Sequence, residues 1–430
     1  MVAYSLFSSA VTAMRANSVA FGNISDNIAN TTTTGYKAGQ IRFQDMVGSK
    51  NAGSVSPQLM GTQAHQQVFR TREGVITTSG LDLDGAISGR GFFVTSTSVT
   101  PSDDTLELTD AGRFAGTLVT NDAGDEEVYL TDIKGNYVLG WPYDDSNNTF
   151  DIDTTNTSSL QPIRIDNEAA TFPAEATTLA SLGVNLPATA AAGDTYSFDM
   201  PIYDGTGIDD NLNDEQQLIA TFTKVAATNT WEMTLSGTDG TVTAPAAQPL
   251  TMVFSPSGDL ETIDGVATDE ISVGVDWTLS GASNSVTLSL AGSTQYGNES
   301  DQLDLEVNGN PQGQLSNVFL GKNGNVVGVF SNGQQRPIAR LALGNTTEPN
   351  RLLDSGNTHW RVGPNSGEIV LYDFENTSMA AFVPQAVEES TTELANEFTN
   401  MIVTQRAYSS ASTALRTVDE MVRTATELKG

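Results

Sequence analysis

Apolar residues along this chain form one helical stretch at each end and many short alternating runs between them. Near the start, Phe7, Ala10, Met14, Asn17, Phe21, Ile24 and Ile28 recur at alternating spacings of three and four, and six of these seven are apolar. That is a heptad seam, and it predicts a helix over about residues 4–29. The pattern stops in four threonines, Thr31 to Thr34, and then Gly35. Threonine is a poor helix former and glycine enters turns that other residues reach only with strain, so the chain is expected to leave the helix there. At the other end, Ser390 to Glu393 ("STTE") reads as a capping box just after Pro384. Leu394, Phe398, Met401, Gln405, Tyr408, Ser412, Leu415 and Val422 then share one face of a helix expected to run to about residue 428.

Between about residues 70 and 385 the texture is that of strands: "GFFVTSTSV", "NYVLGW", "QLIATFTKV", "TWEMTLSG", "VTLSLAG". Asn-Gly pairs at 308–309, 323–324 and 332–333 read as hairpin turns, whose two central residues take positive φ. The prediction is a mainly β, multi-domain chain with N- and C-terminal α-helices, in a nested order of helix, β-domains, helix. Two readings of the end helices stay open. They close on each other as a two-helix hairpin, or their seams are meant for neighbouring molecules. Two lone helices cannot cover all their apolar surface with each other, and a head-to-tail contact that does not close generates a helical filament.

Charge narrows the partners. With 52 acidic against 20 basic residues and a formal net charge of -32, the surface repels nucleic acid phosphates and anionic membranes. The absence of cysteine excludes disulfides, thiolate metal sites and cysteine nucleophiles. The start, "MVAYSLFSSAVTAMRANS", has no basic n-region or apolar h-region, so no cleaved signal peptide is expected. No run approaches the length of a membrane span.

Candidate chemistry is sparse. "GRGFF" has the spacing of a dinucleotide loop, but Val94 stands where the third glycine belongs and no helix follows. The two histidines, His65 and His359, lack a hydrolase pattern around them. Carboxylates gather at Asp204, Asp209, Asp210, Asp214 and Glu215, and again in "WPYDDSNN" (141–148), but neither spacing fits a calcium loop. Both read as solvated acidic loops. Phe92, Phe93, Trp141, Trp231, Trp277 and Trp360 read as core, with Trp360 also a candidate for a neighbour-facing position. No catalytic, cofactor or metal residues are expected.

A resemblance gives this pattern a context. "ISDNIANTTTTGYKAG" (24–39) resembles the shared start of the flagellar rod, hook and hook-associated proteins, carried by Ser25, Asn27, Ile28, Ala29, Asn30, Thr34, Gly35, Tyr36 and Lys37. "LDGAISGRGFFVT" (83–95), "LTDAGRF" (108–114) and "DIKGNYVLGW" (132–141) resemble later segments of that family, and residues 393–421, with Gln405 to Tyr408, its terminal helix. "PIYDGTG" (201–207) with "ATFTKVAATNTWEMTLSG" (220–237), "LAGSTQYG" (290–297) and "VVGVFSNGQQRPIARLAL" (326–343) resemble the hook branch in particular. Gly85, where the family often has an aliphatic residue, departs from the pattern.

The resemblance implies a structural, non-enzymatic subunit of a flexible helical tube that transmits motor torque. It implies a homopolymer meeting the flagellar rod at one end and hook-associated proteins at the other, with a hook cap during assembly. It also implies export by the flagellar type III route. It places residues 1–30 and 388–430 in an inner helical domain and 31–70 in a linker touching neighbouring subunits. Residues 71–145 with 290–387 would form a middle β-domain, and 146–289 an inserted outer β-domain. The expected self-assembly residues are Phe7, Met14, Phe21, Ile24, Ile28, Asn30, Gly35, Tyr36, Leu394, Phe398, Met401, Gln405, Tyr408, Leu415 and Val422. The alternatives are another flagellar axial protein, a secreted β-rich adhesin, or a β-sheet hydrolase.

Overall fold

A computed structural model describes residues 2–47, 59–120, 124–144, 146–166, 170–207 and 216–427. Asp145, Asp209, Asp210, Asp214 and Glu215 of the two acidic loops, and residues 48–58 of the glycine- and serine-rich stretch, lie outside the described residues. The chain is mainly β, with two α-helices among the described residues: α1 (Val2–Ala29) and α2 (Leu394–Glu427). It divides into two compact units, one of residues 1–169, 317–328 and 336–430, the other of residues 170–316 and 329–335.

In the first unit α1 packs against α2. Asn27, near the end of α1, bonds Glu397 in the first turn of α2, so the helices run antiparallel. The threonine run ends α1 as expected. The Thr31 hydroxyl donates to the Ile28 carbonyl at 2.7 Å, taking an acceptor that the helix leaves open. The capping box does not form. The Ser390 hydroxyl is engaged locally with Thr392, α2 begins only at Leu394, and Glu393 instead meets Arg72 and Asn396.

The segment expected as a linker contains a two-stranded antiparallel sheet, β1 (Gly39–Val47) with β2 (Leu59–Val68). It packs on α1. Gly61 makes this approach possible: a Cβ there would lie 1.9 Å from the Thr12 hydroxyl oxygen. The rest of the unit is an antiparallel β-structure. Its central strands run 335–341, 137–144, 92–96, 106–109, 359–361 and 353–356 in spatial order. Phe92, Val94, Leu108, Leu139, Trp141 and Trp360 fill its core, so Trp360 is a core residue. Short strands Ile76–Thr78 and Ala386–Glu388 pair where the chain turns toward α2.

The second unit is a sandwich of two five-stranded sheets. Gln217–Lys224 shows why: its side chains alternate inward and outward along the whole strand, which buries Leu218, Ala220 and Phe222. Trp231, Met233, Met252, Val275 and Leu288 join them in one core. This unit begins at 170 and runs past 289 to 316, against the 146–289 expected. The reason is pairing: Leu179–Asn185 holds Ser283–Ser289 on one edge and Asp301–Val307 on the other. Among the three Asn-Gly pairs, only Asn323-Gly324 takes positive φ at both residues. Asn308 instead accepts the backbone N–H groups of Thr178 and Leu179 at 2.9 Å each.

Candidate functional site

The motif "SDNIANTTTTGYKAG" builds a junction where both ends of the chain meet. Asn27 is its pivot. Fully buried, it accepts from the Gly39 N–H (3.0 Å) and the Tyr36 hydroxyl (3.2 Å), and donates to the Gly39 carbonyl (2.9 Å) and Glu397 (3.1 Å). One side chain thus satisfies the backbone where β1 begins and ties it to α2, as buried polar groups require. Gly35 takes φ +69°, and a Cβ there would lie 2.8 Å from the Ala111 nitrogen. Its N–H donates to the Glu388 carbonyl at 2.8 Å. Thr391 closes the junction by accepting the Ala38 N–H at 2.8 Å.

Lys37 is the electrostatic centre. Its Nζ lies 2.7 Å from Glu388 and 2.9 Å from Asp110, all three side chains buried, and 2.9 Å from the Arg72 carbonyl. Burial opposes charge on Lys37, but Asp110 and Glu388 outweigh it, so the lysine pKa lies above its ordinary value. Two carboxylates share one ammonium. Burial therefore pushes Asp110 up to about 7, against the pull of Lys37 and helped by Glu388. The cluster joins the exit of α1, the entrance of α2 and the strand end at Thr109.

Away from the junction α1 buries mainly small residues, and both helices leave large apolar residues exposed. On α1, Ala10, Ala16, Ala20 and Ile24 are buried while Phe7 (46% exposed), Val19 and Phe21 are not. On α2 the half-buried face is Met401, Thr404, Ala411, Leu415 and Val418. Leu394, Phe398 (51% exposed), Ile402, Tyr408, Met421 and Val422 lie open. Of the self-assembly residues read from the sequence, Ile24 and Gly35 are buried. Met14, Ile28, Asn30, Tyr36, Met401 and Leu415 are half-buried, and Phe7, Phe21, Leu394, Phe398, Gln405, Tyr408 and Val422 are exposed. The apolar face picked out on α2 is therefore mostly not the one packed inside the molecule. Sequence reasoning missed Asp110, Glu388 and Glu397 as junction residues, because nothing local marks a partner hundreds of positions away.

His359 and Asp132 form a second buried cluster, with Nε2 2.7 Å from the carboxylate. The other ring nitrogen faces the Asn357 carbonyl at 2.7 Å. Both side chains are sealed from solvent, so the pair is a strut within the β-structure. Among the described residues no group of three or more His, Asp or Glu side chains could hold a metal ion. No described helix is long and apolar enough to cross a membrane.

Residues 383–428 match the family described as flagellar basal body rod FlgEFG protein C-terminal, and residues 170–310 the flagellar basal body protein FlaE D2 domain. The second match starts where the second compact unit starts. The flagellar hook protein FlgE of Brucella suis is 28% identical over 435 aligned residues, covering 100% of both chains. That of Salmonella typhimurium is 27% identical, covering 98% of this chain and 100% of its own. A solved structure, flagellar hook protein FlgE2 of Helicobacter pylori, overlaps with a TM-score of 0.34 at 16% identity, over 73% of this chain and 100% of that one.

Proposed function

We infer that this chain is a flagellar hook protein, a structural subunit that polymerises with copies of itself in the flagellar axis. End-to-end similarity to hook proteins of several species supports this reading over a rod or hook-associated protein. An adhesin has no need of such terminal helices. The observation that carries the assembly step is the inverted burial of the helix pair. Each fully covered Phe, Leu or Ile side chain contributes about 1.5–3 kcal/mol, and both helices withhold that contribution until another molecule covers them. In this reading the exposed self-assembly residues, among them Phe7, Phe21, Phe398 and Tyr408, pack between subunits, while buried Ile24 and Gly35 hold the structure that positions them.

The finer partners form part of the proposal: the rod at one end of the polymer, hook-associated proteins at the other, and a cap during growth. Export by the flagellar type III route, without a cleaved signal, belongs to it too. Bending requires contacts that slide. The outward positions of the sandwich, such as Thr221, Glu232 and Thr234 on neighbouring strands, are short or polar and do not interlock.

Electron microscopy and sedimentation of the full chain, beside a chain lacking residues 1–30 and 388–430, test the reading. Tubes or curved polymers from the full chain, with a folded monomeric truncation, are expected. Two equally monomeric, equally protease-resistant proteins would remove polymer assembly from consideration.

A further inference from the structure

In the first unit a cavity of about 130 Å³ lies between residues 70–73, just after β2, the start of the strand Phe92–Ser96, and residues 345–349. The chain has only 20 basic residues and a net charge of -32, yet Lys37, Arg70, Arg72 and Arg90 all line this one cavity. Three carboxylates line it too, and each is engaged. Asp110 and Glu388 hold Lys37, and Glu73 accepts the Gly89 N–H at 3.1 Å. Arg70 is served differently. It is only 9% exposed, and no carboxylate pairs with it among the described residues; Asp354 acts on it only from beyond ion-pair distance. Nη1 donates to the Asn350 carbonyl at 2.8 Å, and the guanidinium lies 5.8 Å from the centre of the Trp360 ring. Its other two nitrogens have no partner among the described residues, and neither has the buried Thr346 hydroxyl on the same cavity. Arg90 is exposed and also without an ion pair among the described residues.

We propose that this cavity binds a small oxyanion of the phosphate or sulfate type, with Arg70 beneath it and Arg90 at its mouth. Three features identify the ligand. First, the lining holds donors without acceptors and no free acceptor to match them, and a buried cation left unpaired is costly. Second, a guanidinium presents its N–H groups as a planar fork, which fits the spaced oxygens of an oxyanion better than a single-atom ion such as chloride. Third, the rest of the chain is strongly acidic, so an anion is drawn only to a place where positive charge is concentrated. Bound there, the anion fastens residues 70–73 to residues 345–349. The Arg70 N–H already reaches across the same gap to the Asn350 side chain at 2.9 Å. The site does not depend on how the chain assembles.

Calorimetric titration of the dilute full-length chain with sodium phosphate, and separately with sodium sulfate, tests the site. Ionic strength is held constant with sodium chloride, because any salt screens the self-repulsion of so acidic a chain. Saturable binding is expected, with a matching rise in unfolding temperature, since the ligand favours the folded state. Arg90→Gln changes an exposed position and keeps the fold; it should weaken binding roughly tenfold, the loss of one charge-assisted contact. Arg70→Gln should abolish binding, and if that variant does not fold, Arg90→Gln still decides. Arg423→Gln, exposed on α2 and outside the cavity, should bind as the wild type does. No saturable response at constant ionic strength, or one that Arg90→Gln leaves at the wild-type value, overturns the site. Binding of acetate but of neither phosphate nor sulfate overturns the choice of ligand.

Discussion

The sandwich unit and the terminal helix pair solve opposite problems. In the sandwich, Trp231, Phe222, Met233 and Met252 are fully buried between two sheets, and the indole N–H of Trp231 bonds Gln295 at 3.2 Å. Its hydrophobic energy is spent within one molecule. On α1, alanines fill most inner positions while Phe7 and Phe21 face solvent, as do Phe398 and Ile402 on α2. So many large apolar side chains left open on one pair of helices point to a partner surface. The difference teaches that stability and assembly are assigned to separate parts of the chain, so mutations should separate them too.

The largest effect expected is on the sandwich. Trp231→Ala should cost about 3–5 kcal/mol of unfolding free energy, read as a drop in urea midpoint, while polymerisation of the still-folded protein is unchanged. A loss of tubes at temperatures where the variant remains folded would contradict the division. Next comes Lys37→Met at the junction. It leaves Asp110 and Glu388 buried side by side without their cation, at a cost of about 3 kcal/mol. Here both readouts should fall, because the junction positions both helices. Retained assembly would show that the helices find their places without it.

Smaller, and on assembly alone, is Phe398→Asp. At an exposed site it should shift monomer stability by no more than about 0.5 kcal/mol. It should raise the critical concentration for tube formation roughly tenfold, about 1.4 kcal/mol. An unchanged critical concentration would take Phe398 out of the interface.

The finest distinction is a pH dependence. The Asp110 carboxyl rises from 3.8 to about 7 on folding. Between those values the folded state holds a proton that the unfolded state has released. This group's contribution to stability is therefore present in acid and is lost as pH rises toward about 7. Asp110→Asn abolishes that loss. Its unfolding midpoint should gain on the wild type as pH rises through this window and level off above it. Parallel pH profiles for the two proteins would refute a raised Asp110 at the junction.

How much of this was legible beforehand differs by element. The two helices and the strand-rich middle follow from spacing, because 3.6- and 2-residue periods are local properties. The motif between Ile24 and Gly39 was visible as a helix end followed by a turn. Its chemistry was not. Asn27 works through the backbone of Gly39, and Lys37 through Glu388, 351 positions away. The capping box failed because the Ser390 hydroxyl is engaged by Thr392 and Glu393 by Arg72, 321 positions away. The supposed linker hid a hairpin, since a polar pattern such as "GTQAHQQ" carries no alternation to announce a strand.

The sequence by itself determined that this chain ends in two amphipathic helices around a β-rich middle, because periodicity states which residues share a face. Only the tertiary structure decided which face is used at home. Small residues such as Ala16, Ala20 and Gly61 let α1 and the hairpin approach closely, and that approach leaves Phe7 and Phe21 facing out. A pattern records that a face is apolar; the neighbour that covers it is a matter of three-dimensional fit.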